Sequence, residues 1–385
     1  MKKFLIIIVY VYIITCPFYV FESGLPQPSD FIISIGCFGL FVSGQMSSLF
    51  KLKVIKRLFQ FIGLSSIINI IYWLVYTSQG VENKFFLPIL FYVFDSFVFC
   101  ALVYVLNKNF EKVASHLALA IIISLSIQAI LALAHIGTGR GSLYFNNPNQ
   151  LGYYALTSLT VFACLPSVYR SNKLMTMAVL ILSSYLILYS GSRAALLGVI
   201  LLGSIIFVKE GFKVDASSIA FIILVIGAGW YFFNRNDFVD AQIKSIQDRQ
   251  ESKSSQGVSE FEVRGYDRFY LAPEYVLYGA GEGKYDRFHS YHSLEMHSGP
   301  GTILFSYGVL GFYLFFSFVA IVIKRDLFNN SLLIAPVILY NFTHQGFRES
   351  LFWILLACIF MVSSKQYVKD VFLKVRKHGH FEFLK

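Results

Sequence analysis

The stretch YDRFHSYHSLEMHSGPGTILFSYGVLG, residues 285–311, leads from a polar segment into an apolar run that continues to about Ile323. Proline suits the first turn of a helix, because its missing N–H would be unpaired there, so Pro300 predicts a helix start. The run is long enough to cross a bilayer. His297 is therefore predicted at the mouth of a membrane helix, whose dipole and free N–H groups favour an anion. Such a histidine is either a general base beside a phosphate-bearing substrate or a hydrogen-bonded interfacial side chain.

The composition is that of a membrane protein. Of the 385 residues, 56% are hydrophobic and 14% are charged, whereas about a quarter of the residues in soluble domains are charged. We predict an all-α integral membrane protein with about 12 transmembrane helices, the first of them uncleaved. The predicted spans are residues 4–21, 30–48, 58–76, 85–106, 114–136, 150–168, 174–190, 194–208, 216–233, 300–323, 331–342 and 349–364.

The distribution of lysine and arginine predicts the orientation of these helices. Cationic residues gather in alternate connections, for example in residues 51–57, and in the tail. Because positively charged loops stay in the cytoplasm, both termini are expected there. The net charge of +10 follows from this asymmetry, so no nucleic-acid partner is expected. The predicted organisation is transmembrane helices one to nine in residues 1–233, a large periplasmic loop in 234–299, helices ten to twelve in 300–364, and a basic cytoplasmic tail in 365–385.

The large loop holds half of the chain's 22 acidic residues and eight Lys or Arg. Residues 237–250 are compatible with an amphipathic helix, residues 252–257 with a flexible break, and GAGEG at 279–283 with a tight turn. Arg264 and Arg268 are spaced to share one helical face. The three histidines of the loop match no strong metal-ligand spacing, so neither a metal nor a cofactor is predicted.

Four short segments share a position at the start of an even-numbered span. They are NNPNQ (146–150), SGSR (190–193), HSGP (297–300) and FRES (347–350). Arg193 carries the wrong charge for a helix N-terminus, so it indicates either an anionic ligand or a side chain that reaches lipid phosphate. Asn147 and Asn149 are either helix caps or ligands of sugar hydroxyls. Together the four segments predict one outward-facing cavity that suits a diphosphate.

These residues resemble the bacterial O-antigen ligase and polymerase family. The family pattern of an arginine followed after three residues by leucine is matched at residues 193–197. Its pattern of histidine, a small polar residue, nine residues and Gly-x-x-Gly is matched by His297, Ser298, Gly308 and Gly311. The stretch FNNPNQLGYY and the region 264–283 are also similar to the family. The resemblance covers roughly residues 140–350, and the first five spans match in hydropathy alone.

The resemblance implies a metal-independent, inverting glycosyltransferase of the bacterial inner membrane, with its active site facing the periplasm. The donor would be a glycan on undecaprenyl diphosphate and the acceptor a sugar hydroxyl. By analogy, Arg193 and Arg264 would bind the diphosphate and His297 would activate the acceptor. Further residues expected to bind substrate are Arg268, Arg348, Asn147, Asn149, Arg140 and His292. Implied partners are membrane lipid and the chain-length regulator and flippase of the same pathway.

Several functions remain open at this point. A polymerase would join lipid-linked repeat units into O-antigen, capsule or exopolysaccharide, whereas a ligase would move finished glycan to a lipid A core. Residues 295–312 and 343–355, which include Arg348, look more like the polymerases of the family, and an extra cation would help to hold two lipid diphosphates. Arg348 could instead be an interfacial anchor paired with Glu349. Two non-enzymatic functions stay open as well, a transporter of polysaccharide or lipid-linked sugar and a non-catalytic polysaccharide-binding subunit.

Overall fold

The computed structural model describes residues 2–22, 24–135, 140–166, 173–210, 259–291 and 294–378. In these ranges the chain forms helices joined by loops and turns, and it forms no β-strand. The α-helices are α1 (Lys2–Thr15), α2 (Pro28–Val42), α3 (Lys53–Ser78), α4 (Phe86–Lys108), α5 (Phe110–Ala134), α6 (Pro148–Cys164), α7 (Lys173–Ser190), α8 (Arg193–Glu210), α9 (Glu260–Val263), α10 (Arg268–Leu271), α11 (Tyr275–Tyr278), α12 (Gly299–Ile323), α13 (Leu327–Asn341) and α14 (Ser350–His378).

Four helical segments of the described chain are long and apolar enough to cross a membrane. They are Lys53–Ser78, Phe86–Lys108, Phe110–Ala134 and Gly299–Asn341, the last of which contains α12 and α13. Shorter apolar helices are Phe4–Thr15, Pro28–Val42, Leu174–Ser190, Arg193–Val208 and Ser350–Ser364. The protein therefore has the helices of a membrane protein, while the full set of 12 spans stays a prediction.

The predicted spans coincide with helices wherever the structure describes them, but three ends differ. α2 ends at Val42 instead of residue 48, just before Gly44, whose φ of 67° is a conformation that ends a helix. α1 ends at Thr15 instead of residue 21, because proline at position 17 disfavours the helical conformation of the residue before it. α14 continues past residue 364 to His378, so much of the predicted tail extends the last helix. No glycine or proline interrupts residues 365–377. The expected ninth span at 216–233, the amphipathic helix and the flexible break lie outside the described residues.

The helices pack into one bundle with α14 near its centre. α14 packs against α4 and α6, α12 packs against α3, and α1 packs against α5. The middle of α14 is almost wholly buried, with Trp353 and Phe352 fully enclosed. The turn before α14, which contains Arg348, is thereby held at the centre of one end of the bundle.

The loop Gly279–Gly283 docks on α12 where that helix is interrupted. Gly308 has a φ of 67° and breaks the regular hydrogen bonding of α12. The freed carbonyls of Phe305 and Ser306 accept hydrogen bonds from the amides of Ala280 (2.9 Å) and Gly281 (2.8 Å). A Cβ at Gly308 would lie 2.4 Å from the Leu277 carbonyl oxygen, so only glycine fits this crossing.

Candidate active site

A cavity of about 1620 Å³ lies at the end of the bundle where α2, α4, α6, α12 and α14 begin. Its wall contains the mouth of each of these helices or the residues just before it. Free backbone N–H groups at helix starts favour anionic and hydroxyl ligands. Polar and charged residues of the wall include Tyr19, Gln27, Asp30, Glu82, Lys84, Asn147, Asn149, Gln150, Lys284, Asp286, Glu295, His297, His344, Gln345, Arg348, Glu349 and Ser350.

Backbone contacts bring Arg264 and His297 to the segment before α14. The amide of His297 donates to the carbonyl of Arg264 at 2.9 Å, and Arg264 Nη1 donates to the carbonyl of Thr343 at 2.6 Å. The amide of Gly299 donates to the carbonyl of His344 at 3.0 Å. Three parts of the sequence that are far apart thus meet at one place, and His297 and His344 both face the cavity.

The pKa of His344 reflects the charged groups around this part of the cavity wall. Its ring stacks on Tyr340, with centroids 4.6 Å apart. Burial, together with the charges of Arg264, His297 and Arg140, lowers the pKa of His344 to about 3. The imidazole is therefore neutral at neutral pH, and the groups around it disfavour additional positive charge. We call Arg140 and Arg264 the cationic patch; neither lines the cavity, but Arg140 donates to Asn149 and the carbonyl of Arg264 accepts from the amide of His297, and both of those residues do.

The asparagines before α6 have protein partners as well as cavity contact. Asn147 caps the helix, its Oδ1 accepting from the amide of Gln150 at 3.0 Å. Asn149 Oδ1 accepts from Arg140 Nη2 at 2.7 Å, and Arg140 Nε donates to the carbonyl of Ser190 at 2.9 Å. The cap is thus confirmed for Asn147, both asparagines line the cavity, and their binding of sugar hydroxyls stays a prediction.

Four arginines predicted to bind substrate, Arg140, Arg193, Arg264 and Arg268, are absent from the cavity lining in the described chain. Arg140 and Arg264 still contact residues of the wall, namely Asn149 and His297. Arg193 begins α8 and is exposed, and the cavity-lining residues in the described chain do not include it. Arg268 is buried, donates from Nη2 to the carbonyl of Leu294, and lies over the rings of Tyr285 and Phe288. Arg268 therefore holds the outer loop together, and its predicted contact with substrate has no support in this geometry.

The expectation that Arg264 and Arg268 share a helical face is wrong. α9 ends at Val263 and α10 begins at Arg268, so Arg264 lies in the turn between two short helices. Gly265 adopts a φ of 75° in that turn, a conformation that ends a helix. The turn sends Arg264 towards Thr343 and Arg268 into the loop.

Arg348 forms a buried ion-pair network that the sequence did not indicate. Its Nη2 lies 2.7 Å from Glu282 Oε2, and its Nη1 lies 2.9 Å from Glu295 Oε2. Glu282 is fully buried and also accepts from the Tyr92 hydroxyl at 3.0 Å. Two carboxylates face one guanidinium, so Arg348 adds no excess positive charge to the cavity. The predicted pairing with Glu349 is replaced by these two partners.

The pKa values of Arg348 and Glu282 show how burial and charge act against each other in this network. Burial lowers the pKa of Arg348, but the charges of Glu282 and Glu295 raise it further, to well above the usual value. Burial raises the pKa of Glu282, and the charge of Arg348 opposes that rise. Each ion therefore depends on the other to remain ionised at this depth.

Sequence reasoning missed an acidic patch on the cavity wall, which consists of Asp30 and Glu349. Glu349 Oε2 accepts from the Tyr19 hydroxyl at 3.2 Å. Asp30 Oδ2 accepts from the amide of Gln27 at 2.8 Å, and Oδ1 accepts from the Tyr12 hydroxyl at 3.4 Å. The signal available in the sequence was that both carboxylates stand at the start of an apolar helix, where a carboxylate is favoured.

The cavity continues as an apolar groove between α2 and α4. Aromatic side chains of both helices line it, among them Phe31, Phe38, Phe94 and Phe97. Phe31 is 58% and Phe38 is 68% exposed, so the groove opens on the outside of the bundle. One continuous space thus joins polar helix mouths to a surface that suits a hydrocarbon chain.

The described residues contain no group of three or more His, Cys, Asp or Glu that could hold a metal ion. His292 lies outside the described residues, so the predicted role of that histidine is not located. A comparison with models of known protein families finds no match to this chain, and a comparison with curated protein sequences finds none either.

Proposed function

We propose that this protein is an integral membrane glycosyltransferase that polymerises undecaprenyl-diphosphate-linked repeat units at the periplasmic face of the bacterial inner membrane. The observation that carries the proposal is one cavity that joins polar helix mouths to an apolar groove, with His297 and Asn149 on its wall and Arg264 and Arg140 hydrogen-bonded to those two residues. A lipid-linked glycan has the same three parts, which are sugar hydroxyls, a diphosphate and a hydrocarbon chain. The resemblance of residues 140–350 to the ligase and polymerase family supports the same assignment.

The cationic patch would bind and stabilise the leaving diphosphate. Negative charge grows on the diphosphate as the glycosidic bond breaks, and fixed guanidinium groups stabilise such charge. Arg264 is held beside His297 and Thr343, so its position is set before substrate arrives. In the resemblance His297 is the group that activates the acceptor hydroxyl, and its place on the cavity wall is compatible with contact to substrate.

A ligase is the second candidate, because the pairing of Arg348 removes one reason to prefer a polymerase. The preference for a polymerase rested partly on Arg348 as an extra cation for a second lipid diphosphate. Because Glu282 and Glu295 neutralise Arg348, this arginine does not distinguish a polymerase from a ligase. What continues to favour a polymerase is the similarity of residues 295–312 and 343–355 to polymerases.

Deletion of the gene followed by analysis of the cell's glycolipids tests both candidates. A polymerase predicts that acceptors carry a single repeat unit, because transfer continues while chain growth stops. A ligase predicts full-length polymer stranded on undecaprenyl diphosphate. Glycolipids that match those of the parent strain in length and carrier would contradict both functions.

The proposed orientation predicts which residues a membrane-impermeant thiol reagent can reach in intact cells. Glu274 and Lys51 are both exposed, and they lie on the predicted outer and inner faces respectively. In a variant whose five native cysteines are replaced, Glu274→Cys should label in intact cells, whereas Lys51→Cys should label only after the membrane is opened. Labelling of Lys51→Cys alone in intact cells would reverse the orientation.

A further inference from the structure

The acidic patch, Asp30 and Glu349, lines the cavity but has no role in the reaction as described above. Glu349 lies in the turn before α14, outside the apolar helix, and lines the cavity. Its carboxylate is held by the Tyr19 hydroxyl, which leaves one carboxylate oxygen for another partner. A carboxylate repels a diphosphate, so this part of the wall is suited to a neutral sugar hydroxyl.

Different charged groups act at the two patches, so the two patches suit different parts of a substrate. The charges that act on His344 are those of Arg264, His297 and Arg140. The charged groups that act on Glu349 are Asp30, Arg348 and Glu295. His297 thus lies beside Arg264, which would hold the donor's diphosphate. Glu349 stands among carboxylates, where a proton is more readily accepted.

Contacts between two loops fix the position of Glu349 relative to His297. Arg348 Nη1 binds Glu295 two residues before His297, and the amide of Gly299 binds the carbonyl of His344. The segments 295–299 and 344–349 are thereby fixed to one another. His297 and Glu349 line the same cavity, so a substrate whose diphosphate lies beside His297 would present its anomeric carbon within the cavity that Glu349 faces.

We infer that Glu349 is the general base of the reaction and accepts the proton of the acceptor sugar's hydroxyl group. This inference rests on the proposed function. The acceptor oxygen would attack the anomeric carbon of the donor glycan and form the new glycosidic bond. The bond between that carbon and the diphosphate oxygen would break, and its electron pair would leave with undecaprenyl diphosphate. The hydroxyl proton would pass to Glu349, in the role that the resemblance gives to His297.

The proton affinity of Glu349 suits this role. Burial raises the pKa of Glu349 to about 7; Asp30 and Glu295 add to the rise, whereas the Tyr19 hydrogen bond and Arg348 oppose it. A base must be unprotonated to act, so transfer should rise with pH through about 7 and level off above it. Other titratable groups that interact with Glu349 are Cys16 of the α1–α2 connection, Asp95 of α4, Tyr153 of α6 and Tyr340 of α13.

The test uses full-length protein and undecaprenyl-diphosphate-linked glycan extracted from the gene-deleted strain. Glu349→Gln should lower the transfer rate by about 10²–10⁴-fold, which is the usual contribution of a general base, while donor affinity stays at the wild-type value. Glu274→Gln, which changes an exposed glutamate of the outer loop, is the matched control and should leave both unchanged.

The pH profile separates Glu349 from His297 as the base. Tyr19→Phe removes a hydrogen bond that lowers the pKa of Glu349, so it should move the rise in rate to higher pH. His297→Gln should weaken donor binding and keep the rise near the wild-type pH. The inference is overturned if the rise persists in Glu349→Gln and disappears in His297→Gln. If wild-type protein transfers nothing, the proposed function itself has failed.

Discussion

Replacing Arg264 with alanine should lower the rate of glycan transfer by about 10²–10³-fold, the usual loss when one fixed group that stabilises developing charge is removed. The guanidinium lies next to His297 and reaches the carbonyl of Thr343, so its charge acts at the place where the diphosphate would leave. The measurement is the release of undecaprenyl diphosphate by purified protein, normalised to the amount of folded protein. Arg264→Lys should remain impaired, because an ammonium cannot bind phosphate in a bidentate manner.

Two further variants show whether this effect is specific. Arg193→Ala should also lose transfer if the resemblance assigns that arginine correctly. Because Arg193 is exposed at the start of α8, the variant should fold normally and give a clean result. Lys112→Ala, an exposed cation at the opposite end of the bundle, should match wild type. Full activity of Arg264→Ala would remove the cationic patch from the mechanism.

The second large effect concerns stability. Arg348→Met should lower the free energy of unfolding by about 3–5 kcal/mol, because it leaves the buried carboxylate of Glu282 without its counter-ion. Glu295 is 37% exposed, so Glu295→Gln should cost at most about 1 kcal/mol, as expected for a solvent-accessible pair. Thermal or denaturant unfolding in detergent compares the three proteins. Equal unfolding midpoints for Arg348→Met and Glu295→Gln would show that burial of an ion pair does not determine how much stability is lost when that pair is broken.

Much of the fold was predictable from local sequence. An apolar run of sufficient length must hydrogen-bond its own backbone in a membrane, so it forms a helix wherever it lies. Pro148 and Pro300 marked two helix starts correctly, and Ser298 caps the second with a bond to the amide of Gly301 at 3.0 Å. The interruption at Gly308 was not predicted, since a glycine within a helical pattern is usually tolerated and only the docked loop reveals its use.

The candidate site was predictable in part. The position of His297 at a helix mouth follows from the proline and glycine after it, and the structure places that residue on the cavity wall. The partners of charged side chains could not be predicted from local sequence, because they depend on tertiary contacts between distant segments. Glu282 sits between glycines in a segment predicted as a simple turn, yet it is the fully buried partner of Arg348. Glu349 was predicted only as a neighbour of Arg348, whereas its hydrogen bond is with Tyr19.

The most direct test of a lipid-diphosphate glycosyltransferase is a transfer reaction with purified protein and no other enzyme. Protein in lipid vesicles is supplied with undecaprenyl-diphosphate-linked repeat units in the presence of EDTA, and glycan length and free undecaprenyl diphosphate are measured together. We expect longer glycans and one undecaprenyl diphosphate released for each new bond, with both signals lost in Arg264→Ala. Folded wild-type protein that binds the lipid-linked glycan but neither lengthens it nor releases undecaprenyl diphosphate would contradict the proposed function.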